Sequence, residues 1–275
     1  MRIAVTGCNG RLGRYVVEAA SRAGHTVVGV DLVGRSGPTG GPLERFYAVD
    51  ITRYGPFLAA LDGCEALVHL AAHPSPRSAP AHIVHNDNVS GSYNALRVAV
   101  DLGINRVCLA SSVNAVGGAF SIHPRYDYFP LDEDHPGYAE DPYSLSKWSA
   151  ELQADSVVRT RPAMTVSSLR LHALTSDRAQ AVVASPGRSE QALRELWGYT
   201  EYTAAAAACL LSVNASFYGH ERFYVVAPRT VAAEDSASLA ARHYPETALR
   251  RRLNDHDGFF DCSKAERILG WRHPR

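Results

Sequence analysis

Three glycines at three-residue spacing follow the first apolar run of this chain, in Ile3-Ala4-Val5-Thr6-Gly7-Cys8-Asn9-Gly10-Arg11-Leu12-Gly13. The run Ile3-Ala4-Val5 has the length of a buried strand. Arg14 to Ala23 sets Tyr15, Val16, Ala19, Ala20 and Ala23 on one helical face. Strand, glycine turn and helix in that order form the setting of a dinucleotide-binding turn. Gly7 lets the chain leave the strand sharply. Gly10 lets backbone approach a pyrophosphate, and Gly13 lets the helix lie close on the sheet. The helix N-terminus then offers free N–H groups and the positive end of its dipole to phosphate. Asn9, Arg11 and Leu12 complete the turn and are counted with Gly7, Gly10 and Gly13 as cofactor contacts.

The next segment, His25 to Val30, reads as a second strand and ends at Asp31. An acidic residue about 20 positions beyond such a glycine turn hydrogen-bonds the adenosine ribose of a dinucleotide. A carboxylate there repels a 2′-phosphate, so NAD is expected over NADP. Arg11, Arg14 and Arg35 are the residues that keep NADP as the alternative. Further strands are expected at Arg45 to Val49, Ala66 to Leu70, Arg106 to Ala110 and Thr165 to Leu171. Helices are expected between them, at Arg53 to Leu61, Ile83 to Leu102 and from Pro142 to Val158. Alternation of this kind gives a parallel sheet covered on both faces, a Rossmann-type doubly wound α/β fold. After Leu171 the alternation fades into short helices with one late strand, Phe223 to Val226. Residues 1–171 are therefore expected to form the nucleotide-binding domain with the catalytic residues. Residues 172–275 are expected to form a small, mainly helical substrate lobe that does not fold alone.

Tyr143 and Lys147 stand four residues apart on an expected helix, so both side chains share one face. A neighbouring ammonium stabilises a phenolate and lowers the phenol's pKa from its usual value near 10. A tyrosine so tuned exchanges a proton with an alcohol or ketone. Ser112 ends the fifth strand and can donate a hydrogen bond to the same oxygen. Strand ends in open α/β sheets face the ligand crevice, so the two pieces can converge there. Gly117 to Glu140 is a long irregular stretch of the functional kind. His73, Ser75, Asn114 and Arg170 are the candidate substrate contacts, with Arg170 the candidate anion binder.

Thr6-Gly7-x-x-Gly10-x-x-Gly13, Asp31, Asp50-Ile51, His69-Leu70-Ala71-Ala72, Asn88-Val89-x-Gly91, Ser111-Ser112 and Tyr143-x-x-x-Lys147 together resemble the extended short-chain dehydrogenases/reductases, in the branch of NAD-dependent epimerases and dehydratases. The resemblance implies that Ser112, Tyr143 and Lys147 are catalytic and that Lys147 also binds the nicotinamide ribose. It implies that Asp50 and Ile51 border the adenine, and that Leu70, Ala71, Ala72 and Asn88 line the cofactor side. It also implies a homodimer built on the Ile83–Leu102 and Tyr143–Val158 helices. Where nucleotide-sugar members carry an Asn-x-x-Gly-Pro-like motif, this chain has Arg170-Leu171-His172-Ala173-Leu174. Val116 and Ala204 replace a usual tyrosine and aspartate. The shortened layout is similar to uronate dehydrogenases, which oxidise a free sugar acid at its anomeric carbon.

The expected function is thus hydride transfer between NAD and a secondary alcohol or ketone of a sugar or sugar acid. An epimerase using the same half-reaction is the alternative, and a non-catalytic NAD(P)-binding regulator a third reading. The 28 basic residues equal the 28 acidic ones and no long run of one sign occurs, which argues against nucleic acid or an anionic membrane as partner. A small molecule is the expected partner. Five scattered cysteines and a first strand that starts at once point to the cytoplasm. No metal is expected, because His82 and His85 share a helical face without a third ligand at useful spacing.

Overall fold

Alternating burial along the strands sets the architecture. On the first strand Ile3 and Val5 enter one apolar core and Ala4 enters the core on the opposite face, the two-residue period of a sheet covered on both sides. The computed structural model describes residues 1–34, 41–184 and 189–274. Arg35, and most of the loop expected at 33–42, lie outside the described residues. The elements run β1 (Arg2–Thr6), α1 (Arg11–Arg22), β2 (Thr26–Asp31), β3 (Arg45–Ala48), α2 (Tyr54–Ala60), β4 (Ala66–His69), α3 (Ala81–Leu102), β5 (Arg106–Ser112), a short 3-10 turn (Val113–Val116) and β6 (Tyr128–Phe129). They continue with α4 (Pro142–Thr160), β7 (Thr165–Leu171), β8 (Leu174–Thr175), α5 (Arg178–Ala184), α6 (Glu190–Arg194), β9 (Thr200–Glu201) and α7 (Tyr202–Asn214). The last are β10 (Gly219–Val225), α8 (Ser236–His243), β11 (Ala248–Leu249) and α9 (Ser263–Leu269).

Seven of these strands form one parallel sheet in the order β10-β7-β5-β4-β1-β2-β3. Helices α1, α7 and α9 cover one face and α2, α3 and α4 the other. This is the Rossmann-type α/β fold expected from the alternation. The late strand was legible, but it begins at Gly219 and joins the main sheet, pairing with β7 from Gly219↔Thr165 to Val225↔Leu171. Helix α7 likewise packs on that sheet, with the Tyr15 and Tyr202 rings stacked at 5.0 Å. A third core, around Phe129, Trp197, Tyr224 and Phe259, joins the C-terminal segment to the stretch 117–140.

Local chemistry places the helix ends. Asp141 caps α4 by accepting from the backbone N–H groups of Tyr143 (3.0 Å) and Ser144 (2.9 Å), with Pro142 in the first turn. Gly103, in the left-handed region at φ 71°, closes α3. Helix α1 starts differently: Gly10 occupies the capping position and supplies no side-chain acceptor. Gly7 has φ +67°, and a Cβ placed on Gly13 would stand 2.1 Å from the Gly7 carbonyl oxygen. Helix and turn therefore touch backbone to backbone. Gly13→Ala must push them apart and is expected to lower stability by about 3 kcal/mol, read as a fall in thermal midpoint.

Candidate active site

One cavity of about 850 Å³ opens along the carboxyl ends of the parallel strands. It is lined after β1 by Gly7 and Asn9 to Gly13, after β2 by Asp31, and after β3 by Val49 to Thr52. After β4 it meets Leu70 to Pro74, at the end of β5 Ala110 to Asn114, and after β7 Leu171 to Leu174. Strand β1 lies between β4 and β2, where the order reverses, which is the switch point at which such sheets bind ligands.

The outer end of this cavity suits a dinucleotide. The first-turn N–H groups of α1, which a helix leaves without internal acceptors, face it at Arg11, Leu12 and Gly13. A Cβ on Gly10 would meet only the Gly7 carbonyl, at 3.1 Å, so backbone is open to a phosphate there. The Asp31 carboxylate lines the cavity and is fixed by two backbone donors, Asn9 N at 2.9 Å and Leu32 N at 2.8 Å. Asp50 shapes the next turn by accepting from Thr52 N at 2.9 Å. Ile51 reaches α3 at Gly91, where a Cβ would collide with its Cδ1 at 2.6 Å. Asn88 also borders the cavity, with its amide committed to protein partners. Its Oδ1 accepts from His73 N at 2.8 Å, and its Nδ2 donates to His73 O and Ser146 Oγ.

At the inner end Ser112, Tyr143 and Lys147 come together, all buried and all lining the cavity. Lys147 Nζ donates to Ala110 O at 2.7 Å and stands 5.7 Å from the centre of the Tyr143 ring. Ser112 Oγ accepts from Asn114 N at 3.1 Å and is the group that favours the ionised form of the Tyr143 phenol. Phe120 meets the tyrosine ring edge-on at 5.8 Å. The expected lowering of the phenol by the ammonium is not what the structure gives. Burial raises the Tyr143 pKa above the usual phenol value, and Ser112 opposes it without winning. Burial also disfavours the ammonium and brings Lys147 down to about 8. His69 ends β4 and is buried, bonded through Nδ1 to Thr6 Oγ1 at 2.9 Å. Burial and the Lys147 charge lower it to about 3, so it is neutral at working pH.

Of the expected substrate contacts, His73 and Asn114 line the cavity. His73 Nε2 is paired with Asp87 at 2.9 Å, and Asn114 Oδ1 accepts from Ala119 N at 3.0 Å. Ser75 does not line it; its hydroxyl is bonded to Ser78 Oγ at 3.0 Å. Arg170 requires a correction. It is 0% exposed and forms a two-pronged pair with Glu151, at 3.0 Å from Nε and 2.8 Å from Nη2, so it cannot hold a substrate anion. His172 lines the cavity with both ring nitrogens used, Nε2 donating to Glu195 O at 2.8 Å and Nδ1 accepting from Ala173 N at 2.7 Å. Sequence reasoning missed Asp87, Phe120, Tyr126, Leu131, Arg194, Glu195 and Phe260, which complete the inner wall. Only the length and aromatic content of the stretch 117–140 signalled part of that wall.

Residues 3–191 match the NAD dependent epimerase/dehydratase family. The chain is 28% identical over 239 residues to L-arabinose 1-dehydrogenase (NAD(P)(+)) of Haloferax volcanii, covering 79% of this chain and 90% of that one. It is 27% identical over 186 residues to dTDP-6-deoxy-L-talose 4-dehydrogenase (NAD(+)) of Aggregatibacter actinomycetemcomitans, covering 64% of this chain and 63% of that enzyme's length. Among solved structures, MoeE5 in complex with UDP-glucuronic acid and NAD superposes with a TM-score of 0.74 at 21% identity, over 100% of this chain and 94% of the other. UDP-glucose 4-epimerase from Bifidobacterium longum, in complex with NAD+ and UDP, gives 0.72 at 18% identity with the same coverage. These likenesses carry the fold. Together with the glycine turn at one end of the cavity and the Ser112, Tyr143 and Lys147 group at the other, the match over most of its length shows that this chain belongs to the NAD dependent epimerase/dehydratase family.

Proposed function

We propose that this protein is an NAD-dependent dehydrogenase that oxidises a hydroxyl carbon of a free, uncharged sugar. The observation that carries the reading is the convergence of Tyr143, Ser112 and Lys147 in the same cavity that the uncapped α1 turn lines. Bound NAD supplies the hydride acceptor and a positive charge beside the phenol. Tyr143 takes the proton from the substrate hydroxyl. Ser112 donates to the same substrate oxygen, oriented by the Asn114 N–H that its Oγ accepts. Lys147 is held by Ala110 O, which leaves two of its three N–H groups for the cofactor ribose. Asp31 holds the adenosine ribose, and the α1 N-terminus holds the pyrophosphate.

An uncharged substrate follows from the charge pairing around the inner wall. Arg170 is sequestered, His73 is paired with Asp87, and Arg194 already donates through its two terminal nitrogens to Ser121 O and Glu190. The arabinose dehydrogenase, whose length this chain nearly spans, supports the same class. The cytoplasm is the fitting compartment for cysteines scattered along the chain with no C-x-x-C pair. Ile83, Tyr93, Leu145 and Leu152 stand exposed on α3 and α4, and this face supports pairing with a second copy. Light scattering is expected to report twice the 29.8 kDa chain mass, and a Tyr93→Glu/Leu152→Glu variant to report the single mass.

A panel of neutral aldoses, uronic acids and nucleotide sugars, read as NADH formation, tests the activity. Neutral aldoses are expected to turn over best. Turnover confined to uronic acids or nucleotide sugars would overturn the substrate class, and interconversion without released NADH would mark an epimerase. Tyr143→Phe is expected to remove turnover by about a thousandfold or more while NAD still binds. Asp31→Ala takes away a charged hydrogen-bond acceptor and is expected to weaken NAD by about ten- to a hundredfold, measured by quenching of protein fluorescence, with a smaller loss for NADP.

A further inference from the structure

The buried carboxylate of Glu151 takes no part in the steps above. It stands on α4 one helical turn beyond Lys147 and is 1% exposed. Its Oε1 accepts from Ser111 Oγ at 2.6 Å and Arg170 Nε at 3.0 Å. Its Oε2 accepts from Arg170 Nη2 at 2.8 Å and Arg222 Nε at 2.9 Å. These donors come from three neighbouring strands, β5, β7 and β10, and Ser111 is paired with Arg170 in the sheet register. Ser111 directly precedes Ser112 in the chain. One carboxylate thus fastens the helix that carries Tyr143 and Lys147 to the strand that carries Ser112.

We propose that Glu151 is a positioning residue, whose bonds to Ser111, Arg170 and Arg222 set the placement of α4 against the end of β5 and so bring the Tyr143 phenol onto the Ser112 hydroxyl. The inference rests on the reading of Ser112, Tyr143 and Lys147 as the reacting group. Cohesion alone does not call for an ion pair here, because apolar residues of the same volume commonly stabilise such a gap as well or better. What the pair adds is direction: two parallel N–H···O bonds fix a guanidinium and a carboxylate in one plane.

The charges facing Glu151 are defined. From the strands come Arg170, Arg222 and the Tyr224 phenol, which bonds Arg170 Nη1 at 3.4 Å. On α4 itself stand Lys147 and Asp155, the latter paired with Arg222 and with His220 Nδ1. Glu133 reaches the same region by accepting from Tyr224 N at 2.8 Å. Burial works against the Glu151 charge, but Arg170, Ser111 and Arg222 hold its pKa below the usual carboxylate value, so it is ionised wherever the protein is folded and active.

Three variants of the full chain test the proposal, with NAD affinity, kcat, KM and the pH profile as readouts. Ser111→Ala cuts the tie to β5 and leaves the ion pairs. It is expected to lower kcat roughly ten- to a hundredfold with KM and NAD affinity changed by less than about threefold. Glu151→Gln leaves two guanidiniums short of one anion, which favours the deprotonated phenol. The acid limb of kcat/KM therefore moves to lower pH, by about half a pH unit or more. Arg222→Met, at a half-buried position that tolerates the change even where Glu151→Gln does not fold, leaves excess negative charge and moves the limb to higher pH. Folded Ser111→Ala and Arg222→Met proteins with unchanged kcat and an unmoved acid limb would overturn the proposal and leave Glu151 a packing residue. A Tyr143→Phe control that keeps full turnover would instead overturn the reading of the reacting group, and this inference with it.

Discussion

The absence of a side chain at Gly13 is the constraint on which the rest of the molecule depends. A single methyl there would lie 2.1 Å from the Gly7 carbonyl oxygen and 2.8 Å from the Cys8 Cα. Only because nothing fills that space can α1 begin directly against the end of β1. That strand is the one about which the sheet order reverses, so α1 runs to one side and the β4 loop to the other. The crevice between them is the outer half of the cavity. Its floor carries free backbone donors because the capping residue, Gly10, has no acceptor of its own to satisfy them. An N-cap serine would stabilise the helix by about 1 kcal/mol and occupy the donors a phosphate needs.

Much of this was legible in the sequence because it is local. Strand length, the two-residue burial period, the glycine turn and the four-residue Tyr–Lys spacing all lie within a few consecutive residues, and the structure carries them nearly as read. Pairings between distant segments left no such trace. The strand at Phe223 could be recognised, but nothing near it states that it lies beside β7, more than fifty positions earlier. The two-residue strands β6, β8, β9 and β11 are too short for any period to show. The inner cavity wall is assembled from Phe120, Tyr126, Arg194 and Phe260, which share no motif and meet only through the fold.

Arg170 shows how a local reading misleads. A guanidinium one residue before the end of an apolar strand ordinarily projects to the crevice and meets an anion. Here every residue of β7 from Thr165 to Leu171 is buried, and Arg170 points into the helix layer instead of the cavity. Removing a guanidinium from water costs several kcal/mol, so its burial demands a partner. Glu151 is that partner, on the helix that the Tyr143–Lys147 spacing marked, but nothing in the sequence marked its pairing. The sequence contained both charges but no sign that they answer each other.

The burial of Tyr143 and Lys147 works against the charge on each. Excluding water disfavours the phenolate of Tyr143 and the ammonium of Lys147 alike, raising one pKa and lowering the other toward about 8. Ser112 pulls the phenol back, but burial is the larger influence and the pKa stays above the usual phenol value. Protein groups alone therefore leave the tyrosine protonated near neutral pH. On the proposed function, an oxidised nicotinamide would bring a positive charge next to the ring, which favours the phenolate. On that same reading, a bound oxidised cofactor makes this phenol easier to deprotonate, which would couple proton abstraction to the presence of the hydride acceptor.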